Sequence, residues 1–402
     1  MWVDTQIPLI RRYLTPSGSR HWLLSEAALL TGNVTLNQDF LKTVRFEKVT
    51  QINNNRFTVF KEIKVPFPEM MQPVFFLTNL ASTSNAYTQD SLSWMARRPI
   101  IEVLTKIFER DWNSDEFHLM FHSSGYDSRI ISQILAKMRD KFGEGWLGDV
   151  LFLCWGFEGA MFKNIMEFQG WKEDNYHVYN EGIGIDYRAE LIDFGRVWRW
   201  CNPYCLPWCP AGPALEDAMQ RGLIPKKRSP KILGGMYANE LASANNIVAK
   251  QGASFGKLYP NKMVDLLINK YYFKEDMSAT CSIIASYGEY KLPFADIGVA
   301  PSLSDNFKLC TKLFPKLAKL PCFSHVQKDY EDRTWFGAAD SRLSRAVREE
   351  AAMRFNDSWF AKTLKKPEID LSPRFEDNHT WWRNYVLAST CEWLIDQGVD
   401  VS

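Results

Sequence analysis

Apolar and polar positions are most sharply patterned between residues 117 and 138. Residues 117–121 form a short apolar run typical of a buried strand, and the residues that follow, up to Ser128, are mostly small and polar. Apolar side chains then recur at intervals of three and four, which is the period of a helix with one buried face. These side chains are Ile130, Ile131, Ile134, Leu135 and Met138. The pattern predicts a strand, a tight turn and a helix.

Strands and helices alternate through the middle of the chain. An apolar stripe predicts a helix within residues 86–113, just before the first strand. Further apolar runs predict strands at 150–155, 176–179 and 231–233, and a helix is predicted at 158–169. This order is typical of an α/β fold with a parallel sheet and flanking helices, in which ligands bind at the carboxyl ends of the strands.

The two ends of the chain have different patterns. Strand-like runs near the start predict a small β-rich N-terminal domain over residues 1–85. These runs are residues 40–51, 57–65 and 73–80. Beyond residue 245 the pattern is helical. The clearest helical segments are residues 263–271, 341–355 and 381–395. We therefore expect a second domain over residues 86–402, in which the α/β sheet is followed by a helical C-terminal part.

The composition is that of a globular protein large enough for more than one domain, with 402 residues, 46% of them apolar and 24% charged. A formal net charge of +1 does not indicate a nucleic-acid partner, although it does not exclude one. The first residues lack the apolar core of a signal peptide, and no apolar run has transmembrane length. The eight cysteines are expected to be free thiols in a reducing compartment, so we expect a cytoplasmic protein without a membrane partner.

Residues 123–128, with the sequence SSGYDS, carry the most distinctive chemistry. A strand, a turn of small residues and a helix present free backbone N–H groups to an anion, and the hydroxyls of Ser123, Ser124 and Ser128 add donors. Asp127 would repel a phosphate unless a divalent cation lay between them, and Mg²⁺ is often shared with phosphates in this way. The residues indicate a nucleotide-phosphate loop with Mg²⁺. The alternative is that Asp127 or Ser128 only caps the helix.

This loop resembles the SGGxDS loop of the PP-loop ATP pyrophosphatases, with Ser124 at the position of the first glycine of that pattern. The asparagine synthetase-like branch of these enzymes carries a second motif, SGEGxDEL. Residues 234–241, GGMYANEL, resemble this motif and follow a predicted strand, as they do in that branch. The order of the parts agrees across residues 90–385. The resemblance implies the PP-loop fold of that family.

The resemblance also implies a function. Enzymes of this branch bind ATP and Mg²⁺, adenylate a carboxylate or carbonyl oxygen, release pyrophosphate and transfer the activated group to an amine or ammonia. Asp127 and Asn239 are the implied Mg²⁺ ligands, and the catalytic candidates are Asp127, Glu240 and Lys366. The candidates for binding the nucleotide are Ser123, Ser124, Gly125, Tyr126, Asp127, Ser128, Arg129, Leu153, Trp155, Gly156, Gly235 and Tyr237. Within this set, the backbone of residues 153–156 is expected to face adenine.

Several of these assignments have a structural alternative. Glu240 is chosen as a substrate-side carboxylate, but it fits a first-turn charge stabilised by the helix dipole equally well. Tyr126 and Tyr237 either line the nucleotide pocket or pack in the core. Lys366, or Lys365 beside it, is placed near the leaving pyrophosphate only by its late position in the chain.

The chain departs from the branch in ways that change the expected chemistry. Asn239 replaces the aspartate of the second motif, which removes a charge from the Mg²⁺ site, and Met236 replaces its first glutamate, so the substrate end is expected to differ. Trp2 stands where the glutaminase domain of asparagine synthetases has its nucleophilic cysteine. The amine or ammonia is therefore expected to come from solution or from a separate ammonia-supplying protein.

Two other functions remain open. A sulfur-inserting or nucleobase-modifying PP-loop enzyme would use Cys201, Cys205 and Cys209 as sulfur carriers, although their spacing matches neither a sulfur-carrier pattern nor the CxxC pairs of zinc sites. A degenerate nucleotide-binding scaffold is the other, and the substitutions in both motifs favour it. Retention of Asp127 and Glu240 counts against the scaffold.

Overall fold

The structure is a computed structural model, and it describes residues 10–38, 41, 58–66, 100–181, 193–200, 211–226, 229–242, 276–296, 299, 306–322, 345–364 and 378–402. Its centre is a five-stranded parallel sheet flanked by helices, and a helical C-terminal part follows. The fold is thus of the mixed α/β class.

The elements are numbered in chain order. The strands are β1 (Tyr13–Leu14), β2 (Arg20–His21), β3 (Asn33–Val34), β4 (His118–Phe121), β5 (Val150–Trp155), β6 (Tyr176–Tyr179), β7 (Lys231–Leu233), β8 (Glu289–Lys291) and β9 (Asp400–Val401). The α-helices before β7 are α1 (Leu24–Thr31), α2 (Ile100–Asp111), α3 (Tyr126–Phe142), α4 (Glu144–Leu147), α5 (Gly159–Phe168), α6 (Val197–Trp200) and α7 (Ala211–Gln220). Those after it are α8 (Asp276–Ala285), α9 (Asn306–Leu313), α10 (Pro315–Ala318), α11 (Arg345–Asp357), α12 (Trp359–Leu364) and α13 (Asn378–Asp396). Residues 238–242 are also helical, and 3₁₀ helices lie at Gly156–Glu158, Glu173–Asn175 and Pro293–Ala295.

The central sheet has the strand order β6-β5-β4-β7-β8, and every neighbouring pair is parallel. Strand β4 is therefore in the middle, and the chain order reverses between β4 and β7. His118 at the start of β4 is in register with Val150 of β5 and with Lys231 of β7. The loops that leave β4 and β7 consequently begin side by side at the carboxyl edge of the sheet, where open parallel sheets bind ligands.

The core lies between the sheet and its helices. All four residues of β4 are buried, and so are five of the six residues of β5. The apolar stripe of α3 packs on them: Ile130, Ile131, Ile134, Leu135 and Met138 are each 2% exposed or less. The predicted strand, turn and helix are thus confirmed, because the buried stripe recurs with the helical period.

Most other elements predicted for the middle of the chain are also confirmed. Strands β5, β6 and β7 are confirmed, α2 lies within the predicted range 86–113, and α5 starts after a 3₁₀ turn. The purely helical prediction beyond residue 245 is wrong at β8, which pairs with β7. Unlike β7, which contains the apolar pair Ile232 and Leu233, β8 has one buried residue, Tyr290, between two charged ones, so it forms no apolar run that the sequence pattern could indicate.

Helices dominate the C-terminal part of the chain, as expected. Helices α11 and α13 overlap the predicted segments 341–355 and 381–395, whereas 263–271 lies outside the described residues. Among the described helices, none combines the length and the apolar character that crossing a membrane requires.

The N-terminal segment differs from the prediction. Residues 58–66 form only isolated bridges, from Phe60 to Leu36 and from Lys64 to Leu14, instead of the predicted strand at 57–65. Residues 42–51 and 73–80 lie outside the described residues. Strand β3 pairs in parallel with β9, and α1 packs against α13. The two ends of the chain are thus joined, a long-range contact that no local pattern encodes.

Candidate functional site

The SSGYDS loop connects β4 to α3. Gly125 occupies the N-cap position of α3 in an extended conformation, and no side chain makes a capping hydrogen bond there. Asp127 and Ser128 lie in the first turn of the helix, so capping does not account for them. The first turn places the Asp127 carboxylate near the positive end of the helix dipole, which stabilises its charge.

The amides of the loop are held by side chains. The Ser123 amide donates to Ser128 Oγ at 3.3 Å, and the Gly125 amide donates to Ser123 Oγ at 3.1 Å. The Ser124 amide donates to Glu158 Oε2 at 2.5 Å. Ser123 is exposed, whereas Ser124 is fully buried. A phosphate entering the loop from solvent therefore has to displace serine hydroxyls from the amides of Ser123 and Gly125, whereas the Ser124 amide is bound by a carboxylate.

The two motifs meet in space. Asn239 Nδ2 donates to Asp127 Oδ2 at 3.4 Å, across 112 residues of sequence. Gly235 lies against the same turn, because a Cβ on it would be 3.2 Å from Asp127 Cβ and 3.4 Å from the Ser128 nitrogen. Only a glycine lets the two backbones approach this closely without a shift. The structure thus brings the predicted metal ligands together.

The donor set fits a cation shared with a phosphate. Rotating the Asn239 amide by 180° exchanges its Nδ2 and Oδ1 atoms, so Oδ1 and Asp127 Oδ2 can face one ion. One carboxylate oxygen and one amide oxygen leave most positions of octahedral Mg²⁺ to water and phosphate, which is its usual coordination beside nucleotides. No group of three or more acidic, histidine or cysteine side chains that could hold a metal is present in the described parts of the chain.

Arg129 has a different position from the one expected. Its side chain is fully buried, and its guanidinium donates to backbone carbonyls of the loop, of α10 and of the residues just after α10. The acceptors are the carbonyl oxygens of Ser124 at 3.0 Å, Leu317 at 2.9 Å, Leu320 at 2.9 Å and Pro321. A guanidinium used in this way is not free to bind a phosphate, so we assign Arg129 to holding the loop against the C-terminal part.

Of the two alternatives for Tyr237, the structure favours packing in the core. Its side chain is fully buried, which makes it a core residue and not a nucleotide contact. Its φ of 69° lies in the left-handed region, where a residue with a Cβ is strained by about 1–2 kcal/mol. The similar motif has its second glycine at this position, so the backbone keeps a conformation that suits glycine. Met236 packs beside it, with the Cys281 thiol 3.4 Å from its sulfur.

The predicted adenine-binding and catalytic residues are placed as follows. Leu153 is buried, and its carbonyl accepts a hydrogen bond of 2.9 Å from the amide of His122, the residue after β4. Trp155 is partly exposed, and Gly156 has a φ of 64° at the turn that follows β5. Glu240 is partly exposed in the helical residues 238–242, on the same side of the sheet as the loop. Lys366 lies outside the described residues.

Tyr126 stands between the loop and the C-terminal part. The Cys322 thiol donates to its hydroxyl at 3.8 Å, and its ring lies 5.3 Å from the Arg129 guanidinium carbon. Burial, together with the Cys322 contact, raises the pKa of Tyr126 to about 12. The phenol is therefore neutral at physiological pH, and its position is compatible with either of its two predicted roles.

Glu158 is the site residue that sequence reasoning missed. It ends the 3₁₀ turn after β5, and it accepts from both the amide and the hydroxyl of Ser124, at 2.5 Å and 2.6 Å. Burial raises the pKa of Glu158, while the Ser124 hydrogen bonds and the Arg129 charge oppose that rise. The sequence offered one signal, a serine in place of a glycine in the loop, but not the identity of its partner.

Two buried histidines, His118 at the start of β4 and His122 just after its end, predict how stability depends on pH. Burial lowers the pKa of His122 to about 3 and that of His118 to about 4, both from 6.5. Below pH 6.5 the unfolded chain takes up protons that these folded residues cannot, so the free energy of unfolding falls as the pH falls toward 4. Each histidine contributes about 1.4 kcal/mol per pH unit in that window.

Urea unfolding of the His122→Gln variant at pH 7, 6 and 5 tests this pH dependence. The variant is expected to lose stability with a shallower slope than the wild type, and the difference in slope should approach about 1.4 kcal/mol per pH unit below pH 6. The His21→Gln substitution, in the N-terminal hairpin, is the control for removing a histidine. Equal slopes for His122→Gln and the wild type would contradict the prediction.

Two clefts lie away from the loop. One, of about 590 Å³, is lined by Met219, Ile224, Pro230 and Tyr287 among others, near the amino-terminal ends of β7 and β8. Another, of about 340 Å³, lies between residues 194–198, α11 and α13. Neither includes a residue of the two motifs, so the clefts do not mark a nucleotide pocket.

The carboxyl edge of the sheet thus combines a strand–turn–helix loop, a carboxylate facing an amide, and a second glycine-containing turn from a neighbouring strand. A scan of the chain against protein-family models found no family that matches, and a search of curated proteins found none that matches it either.

Proposed function

We propose that the chain is an ATP-dependent ligase of the PP-loop type, which adenylates a carboxylate or carbonyl oxygen and transfers it to an amine or ammonia. The observation that carries the proposal is the contact between Asp127 and Asn239 at 3.4 Å. These residues come from two motifs that resemble those of one enzyme branch, and the proposed Mg²⁺ site requires them to meet.

The sheet topology supports the same proposal. The SSGYDS loop leaves the central strand β4, and the second motif leaves β7, its neighbour at the point where the strand order reverses. Nucleotides bind at this position in open parallel sheets. The left-handed backbone of Tyr237 adds support, because the second motif of the branch has glycine there.

The described residues would have separate roles in the proposed reaction. The loop backbone, with Ser123 and Ser128, would hold the β- and γ-phosphates, and Asp127 with Asn239 would hold Mg²⁺ against them. The ion would supply charge stabilisation for the leaving pyrophosphate. The backbone of residues 153–156 would face adenine, and Glu240 would face the substrate. Ser124, Arg129 and Tyr237 support the loop and the fold instead of contacting nucleotide.

The chemistry balances in two steps. A substrate oxygen attacks the α-phosphorus of ATP, and the bond to pyrophosphate breaks. A neutral amine then attacks the activated carbon, the carbon–oxygen bond to AMP breaks, and the amine loses a proton. Phosphoryl and adenylyl transfer depend mostly on positioning and charge stabilisation, so this site needs no protein nucleophile.

A scaffold that binds nucleotide without reaction is the second candidate, and the loop itself favours it. The amides of Ser123, Ser124 and Gly125 are all bound by side chains, and the Mg²⁺ site has one carboxylate where the branch has two. A weaker site of this kind would bind MgATP without turnover.

Product analysis separates these functions. The protein is incubated with ATP labelled at the α-phosphate, Mg²⁺, and pools of carboxylates with ammonia or primary amines. The ligase should release AMP and pyrophosphate in equal amounts, only when both a carboxylate and an amine are present. Formation of ADP and phosphate would contradict it, and binding of MgATP without cleavage under every pool would favour the scaffold.

A further inference from the structure

We propose that Glu158 is a positioning residue for the nucleotide loop, and that Ser124 stands in the loop because Glu158 binds it. This inference rests on the proposed function and adds a residue that the two motifs do not contain. It explains the serine at a position where the resembled motif has glycine.

Two contacts join Glu158 to the loop. Its Oε2 atom accepts from the Ser124 amide at 2.5 Å and from the Ser124 hydroxyl at 2.6 Å. Hydrogen bonds to a charged carboxylate are among the stronger ones in proteins, and one carboxylate here fixes both the backbone and the side chain of a single loop residue.

The opposite end of Ser124 is held as well. Arg129 Nε donates to the Ser124 carbonyl at 3.0 Å. A carboxylate therefore fixes the peptide before Ser124, and a guanidinium fixes the peptide after it. With both peptide planes set, the direction of the Gly125 amide at the start of α3 is set too.

The side chain of Ser124 also points away from the face that a phosphate would approach. Ser124 is fully buried, whereas Ser123 is exposed. A Cβ at this position therefore does not block the loop, although a glycine is expected where backbone approaches phosphate closely. Glu158 meets the loop through the buried Ser124 and not through the exposed Ser123.

Glu158 lies beyond the carboxyl end of β5, next to the strand from which the loop leaves. It ends the turn that leaves β5, and the loop leaves the neighbouring strand β4. In the proposed function, the end of β5 faces adenine and the loop faces the phosphates. The contact between Glu158 and Ser124 therefore fixes the distance between the two halves of one nucleotide site.

Binding of MgATP and of adenosine to four variants tests this inference: Glu158→Ala, Glu158→Gln, Ser124→Gly and the double variant Ser124→Gly/Glu158→Ala. Glu158→Ala is expected to weaken MgATP binding about 10-fold or more, as loss of an orienting partner does, and to change adenosine binding less. Glu158→Gln, which keeps an acceptor oxygen, should recover part of the affinity. The double variant should bind like Glu158→Ala, because the serine hydroxyl acts through Glu158.

The outcomes distinguish this inference from the proposed function. The exposed Glu167, on α5, supplies the control variant Glu167→Ala, which should bind like the wild type. Wild-type protein that binds no MgATP overturns the proposed function and the inference together. The inference alone is overturned if the wild type binds MgATP and the Glu158 variants bind it with the same affinity. It is also overturned if the losses in the double variant are additive. Equal losses for MgATP and adenosine would also count against it, because they indicate general damage to the fold.

Discussion

Replacing Asp127 by alanine is expected to abolish magnesium-dependent nucleotide binding. The carboxylate is the one charged oxygen donor in the contact between the two motifs, and Asn239 alone offers only a neutral oxygen. Even a residue that merely orients a metal ligand is worth about 10–100-fold in affinity, so loss of the ligand should cost about 100-fold or more. Calorimetric titration of the variant with ATP, with and without Mg²⁺, measures the effect.

Asp140 provides the matched control, since it lies at the other end of the same helix with a side chain that is 66% exposed. The Asp140→Ala variant should bind MgATP like the wild type. Asp127→Ala protein should also unfold at nearly the wild-type urea concentration, because its carboxylate lies at the surface of the helix start. An Asp127→Ala variant with wild-type MgATP affinity would show that Asp127 does not hold Mg²⁺ beside the nucleotide.

Replacing Arg129 by alanine is expected to cost about 3–5 kcal/mol of stability, the usual penalty for removing one partner of a buried charged network. The substitution leaves a cavity and leaves the carbonyls of Ser124, Leu317 and Leu320 without their donor. Arg129→Lys should recover only part of the loss, since an ammonium is a single point and cannot span these acceptors. Urea unfolding of the purified variants measures both.

Arg221 is the control for removing an arginine. Its side chain is 61% exposed and pairs with Asp217 one helical turn away, so Arg221→Ala should cost less than about 1 kcal/mol. A comparably small loss in Arg129→Ala would show that the buried guanidinium does not tie the loop to the C-terminal part.

The sequence was most informative where structure is local. The strand, loop and helix over residues 117–138 could be predicted because the buried stripe from Ile130 to Met138 has the helical period. Strand β8 could not, because its one buried residue, Tyr290, stands between two charged residues and its pairing partner β7 lies more than 50 residues earlier. The pairing of β3 with β9 joins the two ends of the chain, and no local pattern carries such information.

The candidate site could also be predicted only in part from the sequence. The motifs gave Asp127 and Asn239, and the strand order brings them together. The sequence could not show which polar residues face inward. Arg129 looked like a cation beside a phosphate, yet its guanidinium binds backbone carbonyls. For Tyr237 the sequence left pocket lining and core packing open, and only the fold shows that it is fully buried. Glu158 looked like the start of an ordinary helix, and only the fold shows that it reaches the loop.

Amide hydrogen exchange in the presence and absence of MgATP tests most directly whether the two motifs form one nucleotide site. The account predicts that MgATP slows exchange together in peptides covering residues 122–130 and 234–242, and that ATP without Mg²⁺ has a smaller effect. Unchanged exchange in both segments would contradict the account. So would protection of one segment alone, or protection confined to the cleft between α11 and α13.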